Sequence, residues 1–377
     1  MGRFVRCKPF KRRPRILFWV KSAKLVQYKY SGHGSSGRAP ALGAGGFRFK
    51  SGCPDFFMMK PLSSFRQNAF NFPHTPSDVE RTASADGIVT DVSFPVRPAF
   101  PFSSLVLSAD FSAQDDGLLL LEAQVCCGGE WSGFYKLGLL SAQFKRSFSP
   151  QEDAFGRVET DELCLSAPAE AYRFRLKLSG TGRLNGLWAC GVRVPFTYDA
   201  KAAPRLPYGA FCASVNPISQ MEQKHPDKRR ICSPVSVSMA LNALGYPTPL
   251  APFLQDVFDQ SAAIYGNWTF NTAAAGMRGA QAFVRRFSSL EELKDFVTPD
   301  SFVAASISYG RGRLDGAPME STAGHLVLVR GWGKQKVLVA DPAAATKETV
   351  LRAYDARQFA EAWLLNKKGA AYIVRRK

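Results

Sequence analysis

Residues 324–342 read GHLVLVRGWGKQKVLVADP and decide how the C-terminal part of the chain folds. Two apolar runs flank a segment containing glycine and lysine, which predicts a β-hairpin turning near Gly333. His325 opens the first strand and Asp341 ends the second. Both residues are equally distant from residue 333, and cross-strand neighbours lie about 4.5–5.5 Å apart at Cβ. The pattern therefore predicts an imidazole–carboxylate contact, although a core histidine and a turn-starting aspartate before Pro342 are the structural alternatives.

A cysteine upstream gives that contact a chemical meaning. Cys232 directly precedes a predicted helix, Ser233–Leu244, in which Ser233 can cap the N-terminus, Pro234 fits the first turn and Gly245 ends the helix. The positive end of a helix dipole favours thiolate over thiol, although a cysteine can also stand there without a catalytic role. An imidazole held by a carboxylate activates such a thiol. Gln220 could supply an amide N–H to an oxyanion beside the backbone N–H of Cys232.

The order Gln220, Cys232, His325, Asp341 is that of papain-like cysteine peptidases. In these residues the chain also resembles the soluble branch of the bacteriocin-leader-processing cysteine peptidase family. The resemblance covers residues 210–377 and lies in the following stretches: Ser219-Gln-Met, Cys232-Ser-Pro-Val-Ser-Val-Ser-Met, Tyr265-Gly-Asn-Trp-Thr-Phe-Asn-Thr-Ala, Thr322-Ala-Gly-His-Leu-Val-Leu-Val-Arg-Gly-Trp, and Ala340-Asp-Pro-Ala followed by Tyr354 and Ala362-Trp363. It implies Cys232 as nucleophile, His325 as general base and acid, Asp341 as orienting residue and Gln220 as oxyanion donor.

The sequence departs from that family in two places. Ser233 rather than glycine follows Cys232, and Gln220 lies twelve residues before Cys232, across a charged insert. The transporter-linked members carry a membrane domain and cut after a double-glycine leader, so that substrate is not carried over. We expect four residues to wall the substrate cleft: Tyr265, Gly266, Asn267 and Trp268. The alternative is that Trp268 and Phe270 are core residues and Gly266-Asn267 forms a turn.

The pattern of elements predicts two domains after a basic extension. Short alternating runs with no helix between them predict an all-β, jelly-roll-like sandwich over residues 61–200. Helices followed by antiparallel strands predict an α+β, papain-like domain over residues 210–377, with residues 199–210 as the linker. In that branch of the family a β-sandwich often precedes the peptidase, and the stretches Glu130-Trp-Ser-Gly-Phe-Tyr-Lys-Leu-Gly and Thr160-Asp-Glu-Leu resemble its strands.

The formal charge of +18 is unevenly distributed over the 377 residues. Residues 1–60 carry +13, and the rest of the chain only +5. Pro9, Pro14 and the Gly/Ser-rich stretch 31–46 predict that residues 1–60 are disordered, or are an upstream extension of a chain that begins near Met58 or Met59. Because most of the excess positive charge lies in residues 1–60 and the predicted domains are nearly balanced, we expect no nucleic-acid partner. With no export signal and no long apolar run, we expect a cytoplasmic location and no transmembrane segment.

The function predicted from these residues is a cysteine peptidase that needs no cofactor and acts on a peptide or protein substrate. With four histidines and no C-x-x-C pair, we expect no metal site. One alternative is an acyl transferase of the transglutaminase type, using the same triad. Another is a non-catalytic protein that binds a glycan or cell-surface polymer through Trp131 and Tyr135, with an idle second domain; a Cys232 distant from His325 would favour it.

Overall fold

The architecture is mostly β-sheet, in two regions with separate strand sets. A computed structural model describes residues 67–74 and 79–377, so the predictions for residues 1–60 lie outside the described residues. The strands of the N-terminal region are β1 (Ala69–His74), β2 (Val79–Ala83), β3 (Val89–Ser93), β4 (Phe102–Ser112), β5 (Leu118–Cys127), β6 (Glu130–Trp131), β7 (Tyr135–Ser141), β8 (Lys145–Arg146), β9 (Gln151–Glu152), β10 (Gly156–Glu159), β11 (Glu162–Ala169), β12 (Ala171–Ser179) and β13 (Arg183–Arg193).

The C-terminal region mixes helices with strands. Its elements are β14 (Phe211–Cys212), α1 (Cys232–Ala243), α2 (Leu250–Val257), α3 (Trp268–Gly276), β15 (Gln281–Arg286), α4 (Leu293–Phe296), β16 (Ser301–Tyr309), β17 (Thr322–Gly333), β18 (Lys336–Ala340), β19 (Leu351–Asp355), α5 (Ala356–Ala360) and β20 (Ala370–Arg375). A π-helical turn, Glu361–Leu365, continues α5. No helix among residues 67–74 and 79–377 combines the length and hydrophobicity needed to cross a bilayer.

The N-terminal region consists of two antiparallel sheets around one core. One sheet has the order β1-β13-β4-β11-β10-β9, and the other has β2-β3-β12-β5-β7-β8 with β6 on β5. Alternate residues of both sheets point into a shared core, including Leu105 and Phe111 of β4 and Leu119 and Leu121 of β5. The predicted all-β character is confirmed. The jelly-roll connectivity stays a prediction.

In the C-terminal region a single antiparallel sheet carries helices on both faces. Its order is β15-β20-β16-β17-β18-β19, with β14 on β17. Phe302, Leu328 and other residues of one parity pack under α1, α2 and α3. Residues of the other parity, such as Val303 and Val329, pack under α4 and α5. Both faces of the sheet are therefore buried, which explains why β16 and β17 read as continuous apolar runs.

The hairpin predicted at residues 324–342 forms, but in a different register. Gly333 pairs with Lys336, so the turn consists of Lys334 and Gln335, both with positive φ. A bulge between Val329 and Gly331 shifts the ladder, and Leu328 then pairs with Ala340. Residues 325 and 341 are consequently diagonal neighbours rather than opposite each other. They keep the same parity and hence the same face of the sheet, so the side chains still meet.

The predicted cap of α1 is wrong in its details. The helix begins at Cys232, and its N-cap, Ile231, makes no side-chain capping bond. The Ser233 hydroxyl instead lies 2.9 Å from the Tyr372 hydroxyl on the neighbouring strand β20. Gly245, with φ of +85°, ends the helix as predicted, because its left-handed backbone favours glycine. Tertiary contact with β20 has replaced the local cap.

Candidate active site

Cys232 occupies the first position of α1, where the backbone N–H groups of the first turn have no intrahelical acceptor. Its side chain is half-buried. Burial raises the pKa of the thiol, but the hydrogen bond and the positive charge of His325 and the N–H of Leu326 outweigh that effect. The pKa of Cys232 is therefore lower than that of an ordinary cysteine. The site favours the thiolate, which is the nucleophilic form.

His325 connects that thiol to a carboxylate. Its Nε2 lies 2.7 Å from Oδ1 of Asp341. Because Nε2 is engaged there, Nδ1 is the ring nitrogen left for the hydrogen bond with Cys232. Burial lowers the pKa of His325, but the carboxylate of Asp341 and the contact with Cys232 raise it to about 10. These contacts favour the imidazolium form of His325, beside a thiol whose own pKa is lowered.

Asp341 is completely buried, and every contact it makes favours the charged carboxylate. The Tyr354 hydroxyl donates to Oδ2 at 2.6 Å, and the backbone N–H of Ala343 donates to Oδ1 at 2.9 Å. Burial alone would raise the pKa of Asp341, but the His325 charge and these donors hold it below the usual value. An anchored carboxylate fixes both the tautomer and the orientation of the imidazole.

Gln220 lies beside this chain of contacts. Its backbone N–H donates to the Pro342 carbonyl at 2.8 Å, directly after Asp341. Its side chain is buried, and Oε1 has no hydrogen-bond partner among the described residues. This unpartnered atom is a hydrogen-bond acceptor, whereas an oxyanion would need the Nε2 donor of the same amide. The oxyanion role of Gln220 stays a prediction.

The four predicted cleft residues divide into two groups. Tyr265 is buried in the core, and the Asn267 side chain is used within the fold, accepting from the N–H of Phe270 and donating to Asp259. Gly266 is exposed with open space around it, and Trp268 is half-buried against Tyr372. Gly266 and Trp268 are thus the two that could meet a ligand.

Two tyrosines of the site were not identified from the sequence as functional residues. Tyr354 supports Asp341, and Tyr372 lies between Ser233 and the carbonyls of Gly266 and Asn267. Tyr372 therefore connects the start of α1 to the 266–268 segment. Both residues lie in strands as ordinary aromatic residues, so alternation alone could only place them in the core.

The two aromatic rings proposed to stack on a glycan, those of Trp131 and Tyr135, are not free to do so. Tyr135 is only 4% exposed. Trp131 is half-buried and covered by the Arg173 guanidinium, 4.4 Å from the ring centroid.

Among residues 67–74 and 79–377 no group of three or more His, Cys, Asp or Glu side chains is arranged to hold a metal ion.

Sequence comparison relates both regions of the chain to known protein families. Residues 213–371 match the model of the Peptidase_C39 like family. Residues 76–193 match the model of the Peptidase C39 N-terminal domain. The first matched range falls in the C-terminal mixed region and the second in the N-terminal two-sheet region.

Two solved structures show weak similarity to the chain. One is described as a C39-like peptidase from Bacillus anthracis, with a TM-score of 0.34 and 14% identity over 45% of this chain and 98% of that one. The other is a Glycosylation Associate Protein (Gap123) complex from Streptococcus agalactiae, with a TM-score of 0.20 and 12% identity over 34% of this chain and 26% of that one. No protein with a curated description matches the sequence.

Proposed function

We propose that the protein is a cysteine peptidase that cleaves a peptide bond through an acyl-thioester on Cys232. The observation that carries the proposal is the chain of contacts from Cys232 through His325 to Asp341. Together these contacts lower the pKa of the thiol and raise that of the imidazole. A histidine that hydrogen-bonds the cysteine also argues against an idle second domain, which would leave the two residues apart.

The proposed reaction has two halves. The Cys232 thiolate attacks the scissile carbonyl carbon, forming a C–S bond and a tetrahedral oxyanion. The oxyanion collapses, the C–N bond breaks, and the His325 imidazolium gives its proton to the leaving amine. His325 then takes a proton from water as the water attacks the thioester. The C–S bond breaks, and the acid product leaves with Cys232 again as thiolate and His325 as imidazolium.

We also propose that the catalytic domain has a papain-like fold. Within it, two further sets of residues have a role in this reaction. We assign the Gln220 amide N–H and the backbone N–H of Cys232 to the oxyanion, because Cys232 stands at the helix start and the Gln220 backbone is bonded to Pro342, directly after Asp341. Removing one such donor typically costs about 10²–10³ in turnover. Gly266 and Trp268 would contact the substrate. The machinery is of the bacteriocin-leader-processing type, but no leader peptide is assigned as its substrate.

The experiment that tests the proposal uses the full chain and a pool of tryptic peptides from an unrelated protein mixture. New termini are mapped by mass spectrometry for the wild type, Cys232→Ala and Cys212→Ala. Cys212 is a free, exposed cysteine outside the triad and therefore a matched control. We expect Cys232→Ala to lose at least about 10³-fold in cleavage, as removal of a nucleophile does, while Cys212→Ala keeps the wild-type rate.

Two results would count against this function. Cleavage that persists in Cys232→Ala would remove the nucleophile from the mechanism. A wild-type protein that cleaves no peptide, but attaches an added primary amine such as cadaverine to glutamine side chains, would replace hydrolysis with acyl transfer.

A further inference from the structure

The segment that joins Gln220 to Cys232 carries a net positive charge of +2. We call Met221–Ile231 the basic insert; it carries Lys224, Lys228, Arg229 and Arg230 against Glu222 and Asp227. Its two ends are fixed at the site, because Gln220 lies beside Pro342 and Ile231 is fully buried just before the nucleophile. The insert must therefore leave the site and return to it within eleven residues.

Several contacts hold the insert in one place. The Gln223 amide donates to the Ser219 carbonyl at 2.7 Å. The His225 ring stands edge-on to Tyr265, with 5.4 Å between centroids. Arg230 donates to the carbonyl of Ala263 at 3.2 Å. The insert thus lies against the 263–268 segment, whose far end meets the start of α1 through Tyr372.

The charges of the insert are only partly neutralised. Glu222 accepts the backbone N–H of Lys347, and Asp227 lies 3.7 Å from Arg230. Lys224 and Arg229 are exposed, and within the part of the chain that the structure describes neither has an ion-pair partner. Two cations therefore remain available to a ligand, and Arg230 is only loosely paired.

Arg229 and Arg230 lie close to Cys232 along the chain. Arg229 is three residues before Cys232, so their Cα atoms are at most about 11 Å apart. The Debye length is about 8 Å at physiological ionic strength and about 30 Å at 0.01 M salt. Charges about 11 Å apart are therefore partly screened at physiological salt and interact more strongly at low salt. Arg229 and Arg230 consequently bring positive charge near the N-terminal end of α1.

We propose, on the basis of the peptidase function above, that the basic insert selects peptides with an aspartate or glutamate side chain near the scissile bond. A carboxylate on the substrate would meet Lys224, Arg229 and Arg230 as the carbonyl reaches Cys232. Charge complementarity of this kind raises the association rate and discriminates against basic substrates.

The first test measures the potential at the thiolate without requiring catalysis. The rate at which Cys232 is alkylated by anionic iodoacetate is divided by the rate with neutral iodoacetamide, following the Cys232 peptide by mass spectrometry. The variant is Lys224→Glu/Arg229→Glu/Arg230→Glu. The matched control, Lys201→Glu/Lys294→Glu/Lys334→Glu, makes the same change of net charge at exposed lysines outside the insert.

We expect the ratio to fall about 5-fold in the insert variant, to stay at the wild-type value in the control, and to differ less at 1 M salt, where the Debye length is about 3 Å. An equal ratio in all three proteins would overturn the inference and leave the peptidase function intact. Absence of alkylation at Cys232 by either reagent would overturn the thiolate, and both proposals with it.

The second test maps the cleavage sites of the peptide pool. The wild type should cut at sites with Asp or Glu within three positions of the scissile bond at least 3-fold more often than chance, and the insert variant should lose this preference. Arg229→Gln/Arg230→Gln, which removes charge without reversing it, should give an intermediate preference. Cleavage without any acidic preference in the wild type would contradict the selection of acidic peptides.

Discussion

Asp341 shows how single residues prepare this site. Its two oxygens are divided among three donors: His325 and the Ala343 N–H share Oδ1, while Tyr354 holds Oδ2. A buried carboxylate with a missing donor would gain a proton and release the imidazole. The Tyr354 hydroxyl is therefore a positioning group, because it acts on His325 only through Asp341.

Changing Tyr354 to Phe should remove that donor while keeping the ring in the core. We expect the peptide cleavage rate to fall about 10-fold, a loss of about 1–2 kcal/mol in folding stability, and a lower pKa for His325, since a less anionic Asp341 supports the imidazolium less. The alkaline limb of the cleavage pH profile would show that shift. Tyr309→Phe is the control, because the Tyr309 hydroxyl donates to a backbone carbonyl instead. Equal profiles in both variants would remove Tyr354 from the machinery.

Among the elements, the hairpin of β17 and β18 was the most predictable from sequence. Alternation located both strands, and the faces they present follow from parity alone. The register could not be predicted, because neither the bulge near Arg330 nor the left-handed conformation of the non-glycine turn residues Lys334 and Gln335 leaves a signal in the alternation of apolar and polar residues. The contact between His325 and Asp341 forms despite the difference in register, since the two side chains lie on the same face and meet across the diagonal of the ladder.

Helix α3 was not predicted at all. Its sequence, WTFNTAAAG, has no amphipathic stripe, because residues from Thr269 to Gly276 are all buried. A helix enclosed on every side lacks the period that sequence reasoning detects. Its start is held by Asn267 and by Asp161, which projects from the β10–β11 turn and accepts the N–H of Trp268.

Asp161 offers a test of that junction. Burial raises the pKa of Asp161 to about 8, so the folded protein holds a proton there that the unfolded chain, with an ordinary pKa near 3.9, releases. The stability that this proton contributes is present below about pH 4 and is lost as the pH rises toward 8. Asp161→Asn should therefore gain stability relative to the wild type across this window.

The matched variant Asp161→Ala removes the acceptor as well as the charge. We expect it to lose about 1–2 kcal/mol relative to Asp161→Asn, the usual worth of a helix cap. Urea unfolding at pH 5 and pH 8 measures both effects. Stability of Asp161→Asn that tracks the wild type at both pH values would show that Asp161 is ionised in the folded protein.

At the scale of the whole molecule, the two regions share their cores. Phe270 and Ala273 of α3 are members of the N-terminal core, and Thr269 donates to the Leu107 carbonyl of β4 at 2.7 Å. Trp188 of β13 stacks on Phe283 of β15 at 4.9 Å. Arg286 and Glu162 form an ion pair between the regions at 2.6 Å. The N-terminal sheets therefore support α3, and through it the 266–268 segment next to Cys232.

This shared core predicts a single cooperative unfolding transition for the two regions. Phe270→Ala should cost about 3–5 kcal/mol, as loss of a buried aromatic ring does, and should lower that one transition as a whole. Differential scanning calorimetry and tryptophan fluorescence should report the same midpoint. Two separate transitions, with only one lowered by Phe270→Ala, would show that the regions fold independently.

The central claim, that Cys232 is a thiolate paired with the His325 imidazolium, is tested most directly by the pH dependence of Cys232 alkylation by iodoacetamide. For the wild type the midpoint should lie below the pKa of about 8.5 of a free cysteine, while cleavage of peptides should fall at pH values near 10, where His325 loses its proton. In His325→Ala the thiol of Cys232 is still buried, which raises its pKa, but the imidazolium that lowers this pKa is gone. The midpoint should therefore rise by at least about one pH unit. A wild-type midpoint at or above that of free cysteine, unchanged in His325→Ala, would contradict the account.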